Sequence, residues 1–147
     1  MNYLKNKNGF TLIEMLLVLF IVLLISSIVF KVSMGISEKR DVTQFFNQLV
    51  FDLQEMQALA IEKDQTIIFQ LHTENKYKAN VSGTDQVIVE KVYPKNIKFE
   101  AMSNLKRIII NPNGDVSNFG TARFYTPYGE TNLITYIKEG RMRLVEY

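Results

Sequence analysis

Residues 7–15, Lys-Asn-Gly-Phe-Thr-Leu-Ile-Glu-Met, constrain this chain more than any other stretch. A short basic leader with Lys5 and Lys7 ends at Gly9. An apolar segment then runs from Phe10 to Phe30, broken only by Thr11, Glu14, Ser26 and Ser27. About 20 apolar residues are enough for a helix to span the hydrocarbon of a bilayer. A carboxylate at the centre of such a span costs roughly 2.5–3.5 kcal/mol, so it ordinarily has a partner. Cleavage between Gly9 and Phe10 would supply one. Phe10 then becomes an amino terminus, with its ammonium about one helical turn from Glu14.

Other readings of this segment explain less of it. A secretory signal peptide needs a small-residue cleavage site after the apolar core, and Ser26-Ser27 is the only candidate. A plain single-pass anchor accounts for the length but not for Glu14 or Gly9. A lipoprotein is excluded, because the 147 residues contain no cysteine to acylate. That absence also removes disulfides, thiolate metal sites and thiol nucleophiles. The chain beyond the apolar segment has room for one domain, which must hold by its core alone. Formal charge is +2, and removing residues 1–9 leaves 15 basic and 15 acidic residues. A balanced chain offers no global electrostatic case for nucleic acid.

Helical periodicity continues past the apolar segment. Val42, Phe46, Leu49, Leu53, Met56 and Ala60 are spaced as the seam of an amphipathic helix, and Phe45, Val50 and Ile61 widen the stripe. Asp41, Gln44, Asn47, Gln48, Asp52, Gln54 and Glu55 supply the expected wet face. No proline precedes Pro94, and Gly35 is the one soft point. The pattern predicts one helix over about residues 11–63, apolar all round at first and then on one face. That face is expected to pack on the domain's own sheet, since a stripe of under three heptads is short for a coiled coil.

After Asp64 the period becomes alternating. Strands are predicted over 66–71 and 75–81, with a turn near His72, and over 87–92, 97–99 and 105–110. Asn111-Pro112-Asn113-Gly114-Asp115 is a strong turn signal. Strands over 122–126, 133–138 and 142–145 complete the series, the last two as a hairpin across Glu139-Gly140. The fold class is α+β, a long N-terminal helix on an antiparallel sheet. Four segments follow: 1–9 a leader, 10–30 a membrane or filament-core helix, 31–64 an amphipathic helix, and 65–147 a β head.

Gly9-Phe10-Thr11-Leu12-Ile13-Glu14 and the apolar helix after it resemble the class III signal of the type IV pilin and pseudopilin family. Ile110 to Asp115, Phe119-Gly120-Thr121 and the ending Ile134 to Leu144 resemble the heads of minor pseudopilins, most of all those of competence pili in low-GC Gram-positive bacteria. Many major pilins carry a proline at the place of Lys31, and its absence here fits a minor subunit. The resemblance implies that a prepilin peptidase cuts between Gly9 and Phe10 and N-methylates Phe10. It implies that Glu14 serves assembly with other major and minor pseudopilins, driven by an assembly ATPase and a polytopic membrane platform protein. The protein would sit in the cell membrane as a single-pass protein with its head outside, then at the cell surface in a pilus used for DNA uptake. A type II secretion pseudopilin for protein export would carry the same N-terminal signal. A tethered binding domain that never polymerises is the third reading.

The rest of the chain points to no enzyme, cofactor or metal. His72 is the single histidine, expected in a solvated turn, and no catalytic triad or multi-histidine site can form without others. No glycine-rich phosphate loop or calcium loop occurs. Asn80-Val81-Ser82 has the form of a glycosylation acceptor, a chance match in a bacterial chain. Two basic groups are candidates for contact with DNA, Lys106 with Arg107 and Arg141 with Arg143, with Tyr125, Tyr128 and Tyr136 available for stacking. Such exposed strand cations also serve solubility and edge protection. Any binding should be weak and steeply salt-dependent.

Overall fold

A computed structural model describes residues 11–136 and 142–147. Among the described residues the first element is α1 (Leu12–Lys63), a single helix. The chain divides into two compact units, with the boundary between Glu38 and Lys39.

In the first unit, every large apolar side chain from Leu12 to Phe30 is 45–82% exposed. This stretch is long and apolar enough to cross a membrane. Ser26 and Ser27 do not interrupt it, because their hydroxyls donate back to the carbonyls of Val22 and Leu24 at 2.7 and 2.8 Å.

In the second unit, the predicted seam is the core-facing stripe. Val42, Phe46, Leu49, Leu53, Met56 and Ala60 are all buried, and so is Phe45. Each fully buried side chain of Leu or Phe size contributes about 1.5–3 kcal/mol, so the stripe itself holds this part of the helix in place. Val50 is only half-buried, and Ile61 is exposed, so they do not widen the stripe as expected. Asp52 departs from the expected wet face and is 1% exposed. The helix closes in a two-bond C-terminal cap. Gln65 N–H donates to Ala60 O and Asp64 N–H to Ile61 O, with Asp64 in the left-handed region at φ 50°.

Among the described residues eight strands follow: β1 (Ile67–His72), β2 (Lys76–Val81), β3 (Val87–Val92), β4 (Lys98–Phe99), β5 (Arg107–Ile110), β6 (Gly120–Thr126), β7 (Gly129–Thr135) and β8 (Met142–Glu146). The expected antiparallel arrangement is present as two four-stranded sheets rather than one. Their orders are β3-β2-β1-β5 and β4-β6-β7-β8. Strict alternation of burial along β1 and β2 shows why they are strands, since period 2 puts Ile67, Phe69, Leu71, Tyr77, Ala79 and Val81 on one face. The inner faces of both sheets and the α1 stripe share one core. Within it Phe45, Phe46, Tyr77, Tyr93 and Phe124 pack with ring centroids 5.1–6.4 Å apart.

The Asn-Pro-Asn-Gly segment is a tight turn. Gly114 N–H donates to Asn111 O at 2.9 Å and Asn111 N–H to Asp115 O at 2.8 Å, with Gly114 at φ 83°. Gln57 of α1 donates to Gly114 O at 2.9 Å and so ties the turn to the helix. β7 begins at Gly129, four residues before the predicted start, and pairs with β6 through a two-residue turn at Pro127-Tyr128. β7 and β8 pair from Thr135 with Met142 onward, as the predicted final hairpin requires. The turn residues of that hairpin lie outside the described residues.

Candidate functional site

The processing residues Gly9 and Phe10 lie outside the described residues, as does Arg141. Glu14 is described and exposed, in the first turn of α1. Thr11 stands at the N-cap position. The Glu14 N–H reaches Thr11 O at 3.1 Å and Thr11 Oγ1 at 3.4 Å. A threonine at the cap with a glutamate three positions on is the capping-box pattern, legible in Thr11-Leu12-Ile13-Glu14 but not drawn from the sequence above. A carboxylate in the first turn also complements the positive end of the helix dipole. The recorded bonds are made by Thr11 to the Glu14 backbone, so Thr11 caps the helix, and the Glu14 residue stands exposed in its first turn. Around it Leu12, Ile13, Met15 and Leu16 are exposed apolar side chains. This arrangement is a single anion at the head of an apolar surface. Such a surface can bind other apolar helices, and the anion can select which register they adopt.

The two basic groups are not brought together. Lys106 and Arg107 stand at the start of β5 in the first sheet, whereas Arg143 is on β8 in the second, opposite Ile134. All three are exposed. Tyr125 and Tyr136 belong to the second sheet's side of the chain, and the Tyr125 hydroxyl donates to Glu100 Oε1 at 3.0 Å. Glu100 and Glu130 also face the Arg123 guanidinium at 3.5 and 3.9 Å. Arg123 of that sheet thus has acidic company.

His72 is the last residue of β1 rather than a turn residue, and its Nε2 is buried without a hydrogen-bond partner. Burial, followed by the charges of Lys78 and Lys76, holds its pKa below the ordinary 6.5, against opposing pulls from Glu74 and Glu90. Among the described residues no group of three His, Cys, Asp or Glu side chains is placed to hold a metal ion.

The polar feature that sequence reasoning missed is the buried carboxylate of Asp52. It accepts from Gln48 Nε2 at 2.6 Å, from Tyr77 Oη at 2.5 Å and from Lys91 Nζ at 2.8 Å. Lys91 approaches both oxygens, and its own side chain is 42% exposed. Burial pushes the Asp52 carboxyl up. The hydrogen bonds from Lys91, Tyr77 and Gln48, with the charge of Lys91, outweigh it and hold the pKa below 3.8. Tyr77 is pushed up by burial and then by Asp52, and Tyr93 by burial. The cluster joins the helix to two strands, and Gln48, Tyr77 and Lys91 line an open cleft beside it.

Residues 4–30 match the prokaryotic N-terminal methylation motif. A comparison of the whole sequence with curated proteins finds no match. Among solved structures, the type IV minor pilin FimU of Pseudomonas aeruginosa (strain PAO1) superposes with a TM-score of 0.60 at 14% identity. That likeness covers 74% of this chain and 90% of the other. A second crystal form of FimU gives a TM-score of 0.54 at 15% identity, over 67% and 88%. The minor pseudopilin EpsH from the type 2 secretion system of Vibrio cholerae gives 0.49 at 13% identity, over 74% and 96%. The chain therefore joins an N-terminal methylation motif and a candidate membrane helix to the fold of a type IV minor pilin.

Proposed function

We propose that this protein is a minor pseudopilin of a competence pilus, of the ComGD type, needed for uptake of external DNA. The observation that carries the reading is Glu14, a lone carboxylate in the first turn of an apolar helix inside a matched methylation motif. A prepilin peptidase cuts between Gly9 and Phe10 and N-methylates Phe10. The basic leader stays in the cytoplasm, in keeping with the positive-inside tendency. In the fibre, Glu14 receives the Phe10 ammonium of a neighbouring subunit. A subunit out of register would leave both charges unpaired in a low-dielectric setting. The exposed surface from Leu12 to Phe30 supplies the bulk attraction among helices, and an assembly ATPase with its polytopic platform protein drives extrusion.

The competence assignment draws on the head, where the Asn-Pro-Asn-Gly turn, the Phe-Gly-Thr step and the final hairpin resemble minor pseudopilins of that system. Intact mass of the protein from membranes of its native host tests the processing. Loss of residues 1–9 with one added methyl is the expected result, and an uncut precursor beside an active peptidase would refute the pathway. Deletion of the gene tests the role. Loss of transformation is expected, and loss of exoprotein secretion with transformation intact would move the protein to a type II secretion system.

A further inference from the structure

The turn Asn111-Pro112-Asn113-Gly114-Asp115 sets an asparagine directly before a glycine, and that pair has chemistry of its own. Asn113 is exposed, and Gly114 has no Cβ to hinder approach to its peptide nitrogen. Once that nitrogen loses its proton it can attack Asn113 Cγ. The new N–Cγ bond forms, the Cγ–Nδ2 bond breaks, ammonia leaves, and a five-membered succinimide remains. Water then opens the ring at either carbonyl, giving aspartate or isoaspartate at position 113. The steps balance with water alone, without an oxidant or a cofactor.

In the folded chain the reacting groups are engaged elsewhere. Gly114 N–H donates to Asn111 O at 2.9 Å. Asn113 Oδ1 accepts from Asp115 N–H at 3.2 Å, and Asn113 Nδ2 donates to Asp115 Oδ2 at 2.6 Å. The side-chain amide is thereby held toward the residue two places on, not toward its neighbour. Gln57 of α1 holds Gly114 O, and a bridge between Ile110 and buried Val116 closes the base of the turn. Ring closure has to break the Gly114 and Asn113 bonds first, so it waits on local opening.

The products do not fit the turn that Asn113 fits. An aspartate at 113 sets a carboxylate against Asp115, where an amide now donates, so an attraction becomes a repulsion. An isoaspartate routes the main chain through the side-chain carbon. The bonds of Gly114 to Asn111 and to Gln57 then cannot both be kept. We propose that Asn113 is a site of spontaneous conversion to aspartate and isoaspartate, restrained by the folded turn, and that conversion frees the turn from α1. The substrate is the chain itself, and no step depends on assembly into a fibre.

The test is peptide mass spectrometry of the full-length chain after incubation at mildly alkaline pH, folded in detergent micelles or with its head unfolded by urea. The segment that spans Asn113 is read for the mass gain of amide-to-acid conversion and for the two isomers. The unfolded chain should convert at least about tenfold faster, because the folded one reacts only while open. Asp115→Ala frees the Asn113 amide, and Gln57→Ala loosens the turn from the helix. Each should speed conversion of the folded chain severalfold and leave the rate in urea unchanged. Converted chain, separated on ion exchange by its added negative charge, should melt below the unconverted chain. Absence of conversion in urea overturns the site, and equal rates folded and unfolded overturn the restraint. Folded rates of both variants equal to the wild type overturn the part given to these bonds. An unchanged melt of the converted chain overturns the release of the turn.

Discussion

Tyr77 donates its hydroxyl to Asp52 Oδ2 at 2.5 Å, from the inner face of a central strand to the buried side of the helix. Asp52 has 1% of its surface exposed, so the bond is shielded from water. Hydrogen bonds to a buried charge contribute about 1.5–3 kcal/mol each, and removing one partner leaves the other desolvated and unmatched. Tyr77→Phe should therefore destabilise the second unit by about 1.5–3 kcal/mol. Asp52→Ala should cost more, because it removes all three bonds and strands the buried Tyr77 hydroxyl, although Gln48 and Lys91 can turn to solvent. Urea denaturation of the full chain in detergent, followed by tyrosine fluorescence, measures both. A Tyr77→Phe midpoint equal to the wild type would show that the bond contributes nothing net.

The same carboxylate sets an acid limit. The folded-state pKa of Asp52 lies below the unfolded one, so its contribution is complete above the unfolded value near 3.8 and is lost as pH falls through the folded value. Wild type and Asp52→Asn should differ by a constant stability from neutral pH down to about pH 5, with the gap closing below about pH 4. His72 acts in a higher window. Its depressed pKa means that the unfolded chain takes up a proton first as pH drops through 6.5, so stability declines there, and His72→Gln should flatten that decline. Tyr77 and Tyr93 act at the other end. Their raised pKa values let the unfolded chain ionise first above about pH 10, so stability falls with further rise. Thermal melts across pH for the three chains read all of this.

Asp52 also marks where the sequence stops being legible. The seam from Val42 to Ala60 could be read because helical periodicity is a local property, and every one of its six residues is buried. The strands β1, β2 and β3 could be read from alternation and turn residues for the same reason. Asp52 was assigned to the wet side because its partners Tyr77 and Lys91 lie 25 and 39 residues away. The division into two sheets was hidden likewise, since β1 pairs with β5 past three intervening strands. The start of β7 was missed because Thr131 and Asn132 are polar and yet buried. At the helix start Glu14 was plain from its neighbours alone.

Gly114 is required by its turn. At φ 83° an added Cβ is strained, and it would also stand 2.8 Å from Ile61 Cδ1. Ile61 is exposed and can swing away, so the backbone carries most of the cost. Gly114→Ala should lower stability by about 1–2 kcal/mol, and Gly114→Asn by less, since asparagine tolerates this region. Equal midpoints for the two variants would show that the side-chain clash, not φ, decides.

Asp64 offers the opposite sign. It occupies the left-handed position that ends α1, where glycine is the usual residue. Asp64→Gly should stabilise by about 0.5–1 kcal/mol, a rise of a few degrees in Tm. The measurement is a thermal melt at neutral pH. A fall in Tm would mean that the Asp64 side chain contributes more than its backbone strain costs.

Two roles can be assigned to Glu14, a cap and a charge for assembly, and two substitutions divide them. Its place three residues after Thr11 suits a capping box, which glutamine serves as well as glutamate. Its charge is what the Phe10 ammonium of a neighbouring subunit would need. Glu14→Gln keeps the first and removes the second, whereas Glu14→Ala removes both. If the charge governs assembly, both variants should be cut and methylated normally, and both should be absent from sheared fibres while accumulating in the membrane. If capping governs, Glu14→Gln should enter fibres as the wild type does and only Glu14→Ala should fail. A protein that never polymerises would show neither defect. Immunoblots of sheared and membrane fractions, with intact mass to confirm processing, distinguish the three. We expect Glu14→Gln to fail as completely as Glu14→Ala, because a neutral amide cannot offset an ammonium in a low-dielectric setting.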